Sequence, residues 1–189
     1  MLPVKNGRVT QEYGRPGKYK KGYHTGIDLV AGESDKYIYS VGPGVVVVAK
    51  YAPGKGADPD GWGNYVIVRH QDGHEIIYAH LASVLVQAGM ILGPGHGIGL
   101  QGSTGRSTGP HLHFEVRKGN WQNREDINPA DYLGIENKVG PIALKDPFEA
   151  DRQWAIENGI SDGSDPDRPA TRKEIWAMLR RMAQKGVVG

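Results

Sequence analysis

Cysteine is absent from the 189 residues. That excludes a disulfide framework, a thiolate metal site and a Cys nucleophile. Long hydrophobic runs are missing too. The longest, such as Val45–Ala49, is of strand length, far from the roughly 18 apolar residues a membrane-spanning helix needs. The opening Met-Leu-Pro-Val-Lys-Asn-Gly carries no apolar h-region, so no signal peptide is expected. Work outside the cell then calls for another route: release by lysis, assembly into a virion, or a leader that has been removed. An excess of one charge is also lacking. The 23 basic and 21 acidic residues leave a net charge of +2 and a pI near 8.7, with no dense Lys/Arg stripe. Nucleic acid is therefore not an expected partner, whereas a weak preference for anionic surfaces such as a cell wall is permitted.

What the chain has in plenty is glycine and proline, 28 and 12 residues, the mark of short strands and many turns. Of the glycines, 23 fall in residues 1–134 and 5 in residues 135–189. The first stretch holds β-branched and aromatic runs bounded by Gly, Pro, Asp and Asn: Gly44–Lys50, Asn64–His70, Glu75–Tyr78 and His111–Arg117. Little helical periodicity interrupts them, so residues 1–134 read as a mostly-β, antiparallel domain. Residues 135–145 read as a linker. Helix signals follow over 146–189: Asp146-Pro147-Phe148-Glu149 caps one helix, and Thr171-Arg172-Lys173-Glu174 is a capping box opening another with Ile175, Leu179 and Met182 on one face. The expected organisation is a β domain with a small C-terminal helix-loop-helix module.

Seven His are present, and the most informative pair is in His111-Leu112-His113-Phe114-Glu115-Val116. On a strand, His111, His113 and Glu115 share one face while Leu112, Phe114 and Val116 face the core. That sets two imidazoles about 7 Å apart at the backbone. His24 and Asp28 are separated by Thr-Gly-Ile, a poor helix, so a bend through Gly26 is an alternative way to converge them. Together these residues supply up to four N or O ligands and no sulfur, and three such ligands with an open position suit a catalytic zinc. Spacing alone does not say which member of the His-x-His pair is the ligand. His80 ends a strand in Tyr78-Ala79-His80-Leu81, a place for a hydrogen-bonding rim residue or a catalyst. His70 is expected to fix the turn His70–Gly73, and His74 and His96 to be exposed. Glu115 is expected beneath the ligand face or toward solvent. The Gly/Pro-rich loop Tyr51–Gly61 either walls a groove or is a plain surface excursion.

His24-Thr-Gly-Ile-Asp28, Tyr78-Ala-His80-Leu81 and Gly102-Ser-Thr-Gly-Arg-Ser-Thr-Gly-Pro-His111-Leu-His113-Phe-Glu-Val116 resemble the three signatures of lysostaphin/LytM-type zinc endopeptidases. The likeness covers roughly residues 8–133, in the family's order and spacing. Gly42-Pro-Gly-Val-Val46, Trp62-Gly-Asn-Tyr-Val66 and Gly97-Ile-Gly99 resemble its lesser features. The resemblance implies a peptidase domain with an active-site groove that cuts peptide bonds in bacterial peptidoglycan. It implies one zinc ion per chain on His24, Asp28 and His113, with His80 and His111 beside it as the catalytic pair. Metal-free relatives that only bind exist in that family. None of the five positions is lost here, which implies an active enzyme.

Trp154–Glu174 resembles one S-layer-homology repeat, including a variant of its Thr-Arg-x-Glu signature. That resemblance implies an anionic secondary cell-wall polymer as partner, with Arg172 binding it, and permits homo-oligomer formation through the C-terminal module. The acidic loop Asp162–Asp167 lacks calcium-loop spacing, so no calcium is expected there. The expectation is thus a peptidoglycan hydrolase acting at the cell wall as a phage lysin or virion-associated protein. A non-catalytic wall-binding or structural tail component using the same groove is the alternative.

Overall fold

The computed structural model describes residues 1–52, 54 and 60–145. Met1–Leu144 form a compact unit. The expected helix-loop-helix module, with Arg172, lies outside the described residues, as does most of the loop at 51–61.

The chain forms β1 (Arg8–Gln11), β2 (Ile27–Val30), β3 (Tyr37–Tyr39), β4 (Gly44–Lys50), β5 (Tyr65–His70), β6 (His74–Ala79), β7 (Ser83–Val84), β8 (Ile91–Leu92), β9 (Gly97–Leu100), β10 (Leu112–Lys118), β11 (Asp126–Ile127) and β12 (Gly140–Pro141). A five-residue helix, α1 (Pro129–Leu133), and a 3-10 turn at Trp121–Asn123 are the helical elements among the described residues. The four strand runs read from the sequence become β4, β5, β6 and β10, each within a residue or two. One large sheet runs β12-β1-β2-β10-β6-β5-β4-β8, with β11 also on β10, and a small sheet runs β3-β9-β7. Every pairing is antiparallel. The mostly-β expectation holds.

The period of two along β10 organises the domain. Leu112, Phe114 and Val116 are fully buried and join Ile27, Leu29, Ile76 and Tyr78 with Ile38 and Ile98 of the small sheet in one apolar cluster. Phe114 meets the Tyr78 ring edge-on, centroids 5.3 Å apart. The opposite face of the large sheet carries His113, Glu115 and Arg117. It also carries a smaller cluster of Trp62, Tyr65, Ile67, Ile77 and Ala79. Register then aligns the polar groups: His113 stands opposite Asp28 on one side and Ala79 on the other, and Glu115 stands opposite Ile77. A one-residue slip would send each of these side chains into the core.

Residues 135–144, read above as a linker, fold back onto the sheet. Gly134 ends α1 at φ +65, Ile135 is fully buried and bridges Leu144, and Gly140–Pro141 add a strand beside Arg8 and Val9. Glycine and proline there made a rim strand look like a linker. His74, expected to be exposed, is half-buried with its ring edge-on to Tyr132 at 5.3 Å. His96 is exposed.

His70 closes β5 inside the protein at 5% exposure, and its Nε2 is buried without a hydrogen-bond partner. Burial pushes its pKa down, and the charge of His74 adds to this, against an upward pull from Asp72. An imidazole held below its ordinary value favours folding above about pH 6.5. That contribution is lost as pH falls through the folded-state value, because the unfolded chain takes up the proton first. In thermal melts from pH 7.5 to 5, wild type should therefore lose more stability than His70→Phe as pH falls. Parallel profiles would show that His70 is indifferent to its charge in the fold.

Candidate metal centre and its surroundings

Four imidazoles meet at one end of the β10 face. His24 leads into β2, His80 ends β6, and His111 and His113 lie at the start of β10. The segment between Gln11 and β2 is a hairpin, tied by Gly14 N–H to His24 O, His24 N–H to Arg15 O and Gly17 N–H to Gly22 O. Its base is fastened by the Asp126 carboxylate, which accepts from the Tyr13 and Tyr23 hydroxyls at 3.0 Å each and pairs with Lys21. Lys21 and the tyrosine hydroxyls outweigh burial and hold Asp126 below the usual carboxylate range. The hairpin delivers His24 to the sheet, with the Tyr19 ring 5.2 Å away.

Gly26 lies in a bend that brings His24 and Asp28 together, as the sequence allowed, and it meets a second constraint as well. A Cβ there would come within 2.6 Å of His113 Cε1 and 2.7 Å of Phe114 O. Any larger residue would drive β2 off the imidazole. At the other side, His80 sits in the left-handed region at φ +63, an uncommon conformation for a non-glycine residue. It is held there by its own N–H on Trp62 O at 2.8 Å.

Each ring is fixed from behind. His24 Nδ1 lies 2.9 Å from Glu12 O, His80 Nδ1 2.8 Å from Thr104 O, and His111 Nδ1 2.8 Å from Gly109 O. A carbonyl oxygen can only accept, so each of these nitrogens carries the hydrogen. His113 is reversed: its Nε2 faces Glu115 Oε2 at 3.3 Å, and that carboxylate is held by Arg117 Nε at 2.6 Å and Thr25 Oγ1 at 3.1 Å. Neutral rings pinned this way turn four lone pairs, on His24 Nε2, His80 Nε2, His111 Nε2 and His113 Nδ1, toward a shared space.

Three acceptors meet there. His24 Nε2 and His113 Nδ1 are 3.0 Å apart, and Asp28 Oδ1 lies 3.1 and 3.0 Å from them. With the ring hydrogens directed backward, nothing donates between them, so the triangle is stable around a cation. Tetrahedral zinc at about 2.0–2.2 Å sets its ligands about 3.4 Å apart, within a few tenths of this spacing. The donor set, two imidazoles and one carboxylate without sulfur, also fits zinc. The electrostatics agree. Burial alone would lower His113, but Asp28 and Glu115 outweigh it and raise its pKa to about 9, so a proton occupies the cation's place. Asp28, against its burial, is held far below the carboxylate range by His113 and His24. His80 is pushed down to about 3 by burial and by the neighbouring His113 and His111, and stays neutral.

The structure thus brings together all five residues singled out around the metal. His80 and His111 stand with ring centroids 4.8 Å apart, and His111 Nε2 is 3.6 Å from Asp28 Oδ2. They open onto a cleft of about 420 Å³ walled by the 14–24 hairpin on one side and by Gly61, Trp62 and Arg106 on another. Sequence reasoning missed two supports. Asn64, fully buried, accepts from Ala52 N–H and donates to Leu81 O and Ala82 O, tying the 50s loop to the chain after His80. Thr104 accepts from Asn64 N–H and donates to Leu81 O while its carbonyl orients His80. The Gly-Asn and Ser-Thr-Gly stretches were visible, but only the fold brings them together.

Comparison with known proteins follows the same boundaries. The DD-carboxypeptidase/endopeptidase Mpg of Neisseria meningitidis is 38% identical over 132 residues, 70% of this chain and 27% of that protein. The peptidoglycan DD-endopeptidase ShyB of Vibrio cholerae is 40% identical over 93 residues, 49% of this chain and 20% of that protein. The chain thus spans about a quarter of the length of these curated relatives. Among solved structures, the catalytic domain of the antimicrobial peptidase lysostaphin from Staphylococcus simulans matches with a TM-score of 0.58 and 30% identity, over 66% of this chain and 90% of that one. The catalytic domain of the prophage-encoded M23 protein EnpA from Enterococcus faecalis, crystallised as a point mutant, matches with a TM-score of 0.54 and 32% identity, over 67% and 91%. Residues 22–129, which carry all five converging side chains, match peptidase family M23, and the chain belongs to that family.

Proposed function

We propose that this chain is a zinc-dependent endopeptidase that hydrolyses peptide bonds of bacterial peptidoglycan, in cross-links or stem peptides. The observation that carries the reading is the triangle of His24 Nε2, His113 Nδ1 and Asp28 Oδ1, with sides of 3.0–3.1 Å, set beside two further imidazoles in an open cleft. Likeness to a peptidoglycan DD-endopeptidase and to lysostaphin supports the substrate. The setting proposed is that of a phage lysin or virion-associated protein, supported by the prophage-encoded neighbour. Binding of a secondary wall polymer at Arg172 and self-association through residues 146–189 belong to the same proposal and are supported by the S-layer-homology resemblance.

His24, Asp28 and His113 would hold the ion, and Glu115, braced by Arg117, would fix the His113 tautomer. A zinc ion held there would supply Lewis acidity for attack by water on the scissile carbonyl. The protein supplies the proton traffic. His80, held neutral with its Nδ1–H on Thr104 O, presents the Nε2 lone pair that orients the attacking water. His111 is placed to relay a proton: its Nδ1 lies against Gly109 O, and its Nε2 faces Asp28 Oδ2. That proton leaves the water, steadies the oxyanion while on Nε2, and passes to the departing amine.

Three outcomes test this. Purified peptidoglycan should release peptide fragments with new amino termini, seen by mass spectrometry, and a zinc chelator should stop the release. Intact cross-links from walls of several chemotypes would favour the binding or structural alternative. His80→Ala and His111→Ala should each lower cleavage about 10²–10⁴-fold while retaining one zinc per chain by elemental analysis. Cleavage that survives both changes would remove the proposed roles. Glu115→Gln should weaken zinc about 10–100-fold in competition with a chromogenic chelator. The exposed Glu125→Gln should leave zinc affinity unchanged; equal affinities in the two variants would contradict the bracing role.

A further inference from the structure

Among the described residues, six cationic side chains line the cleft against three carboxylates, and one of the three, Asp28, belongs to the candidate metal triangle. Lys20 and Arg124 share Asp60 Oδ1 at 2.8 and 2.9 Å, Lys21 is taken by Asp126, and Arg117 by Glu115. Among the described residues no carboxylate pairs with the remaining two, Lys18 and Arg106. Lys18 is at the tip of a hairpin. Arg106 is rooted in the most tightly crossed part of the site.

Three glycines make that crossing. Gly61, Gly63 and Gly105 all have φ between +66 and +85. A Cβ at Gly105 would come within 2.4 Å of both Gly61 O and Gly63 N, and one at Gly63 within 2.4 Å of Thr104 C. Arg106 N–H donates to Gly61 O at 2.7 Å, so the Arg106 backbone is clamped where the two loops touch. Of the polar side chains beside it, Thr104 donates to Leu81 O, Ser103 pairs with Ser107, and Ser107 donates to Gly109 O. Arg106 therefore lies in sequence between the two carbonyls, Thr104 O and Gly109 O, that orient His80 and His111. It projects an exposed guanidinium from a rigid base into the cleft.

We infer that Arg106 is a specificity-determining residue that binds a free carboxylate of the substrate peptide close to the scissile bond. This inference rests on the endopeptidase reading and names its substrate class: an acidic peptide, as opposed to a bridge of uncharged residues. A guanidinium fork matches a carboxylate in two parallel hydrogen bonds, and a charge-assisted pair of that kind discriminates strongly against the amide. Lys18 adds positive potential at the cleft mouth and no defined geometry.

The test uses two synthetic cross-linked peptides, identical except that the carboxylate next to the scissile bond is free in one and amidated in the other. Wild type should cut the free form with a kcat/KM about 10-fold or more above the amidated form, chiefly through KM. In Arg106→Gln that ratio should fall toward one, and Arg106→Lys should restore part of it. Zinc stoichiometry reports that each variant is folded. A second arm measures calorimetric binding of both peptides to the zinc-loaded His80→Ala/His111→Ala protein, with and without Arg106→Gln. An equal response of wild type to the two peptides, or a preference undiminished in Arg106→Gln, overturns the inference. Binding that prefers the free carboxylate through Arg106, with no cleavage of either peptide by wild type, overturns the endopeptidase reading and leaves the carboxylate site standing.

Discussion

Everything at this site depends on where four hydrogens sit. Each imidazole surrenders its one N–H to a fixed acceptor: the carbonyls of Glu12, Thr104 and Gly109, and the carboxylate of Glu115. The lone pairs left over have nowhere to point but at one another and at Asp28. Acceptors 3.0 Å apart with no donor between them repel, and a cation turns that repulsion into ligation. Without a metal ion, a proton on His113 meets the same demand, since Asp28 and Glu115 raise its pKa to about 9. The backbone serves this arrangement: the carbonyls that hold the rings belong to the segment after β1 and to the loop between β9 and β10, so loop conformation and ring tautomer are fixed together.

Strand register supplies the rest. Asp28 and His113 meet because β2 and β10 pair with those residues directly opposite, and Ala79 on β6 leaves room beside the ring. The apolar alternates Leu112, Phe114 and Val116 enforce that register from the other face, since a slip would bury Glu115 and Arg117 in hydrocarbon. A core of ordinary composition thus positions the candidate metal site, and the left-handed His80 backbone is held by its N–H on Trp62 O.

Much of this was legible in the chain. Period-two alternation in His111–Arg117 gave both the strand and the face that carries the chemistry, because only a strand sorts those residues so cleanly. The three signature motifs pointed to the five residues that converge. Less was legible where contacts are distant in sequence. The bend at Gly26 was legible, but the close approach of the His113 ring to it was not. Asn64 and Thr104 carry no local signal, since their partners lie 12 to 40 residues away. The 135–144 segment misled because glycine and proline also suit a rim strand, as Gly140 and Pro141 show beside β1. Arg106 sat inside a recognised motif, but its free charge emerges only once its cationic neighbours are seen to be paired.

The most direct test of this account is the tautomeric state of the four rings, read by long-range ¹H–¹⁵N NMR on zinc-loaded protein with ¹⁵N-labelled histidine. Hydrogen is expected on Nδ1 of His24, His80 and His111 and on Nε2 of His113. The shifts of metal-bound nitrogen should appear at His24 Nε2 and His113 Nδ1, with free lone pairs at His80 Nε2 and His111 Nε2. Hydrogen on His24 Nε2 or His113 Nδ1, or metal at His111 in place of His113, would contradict it.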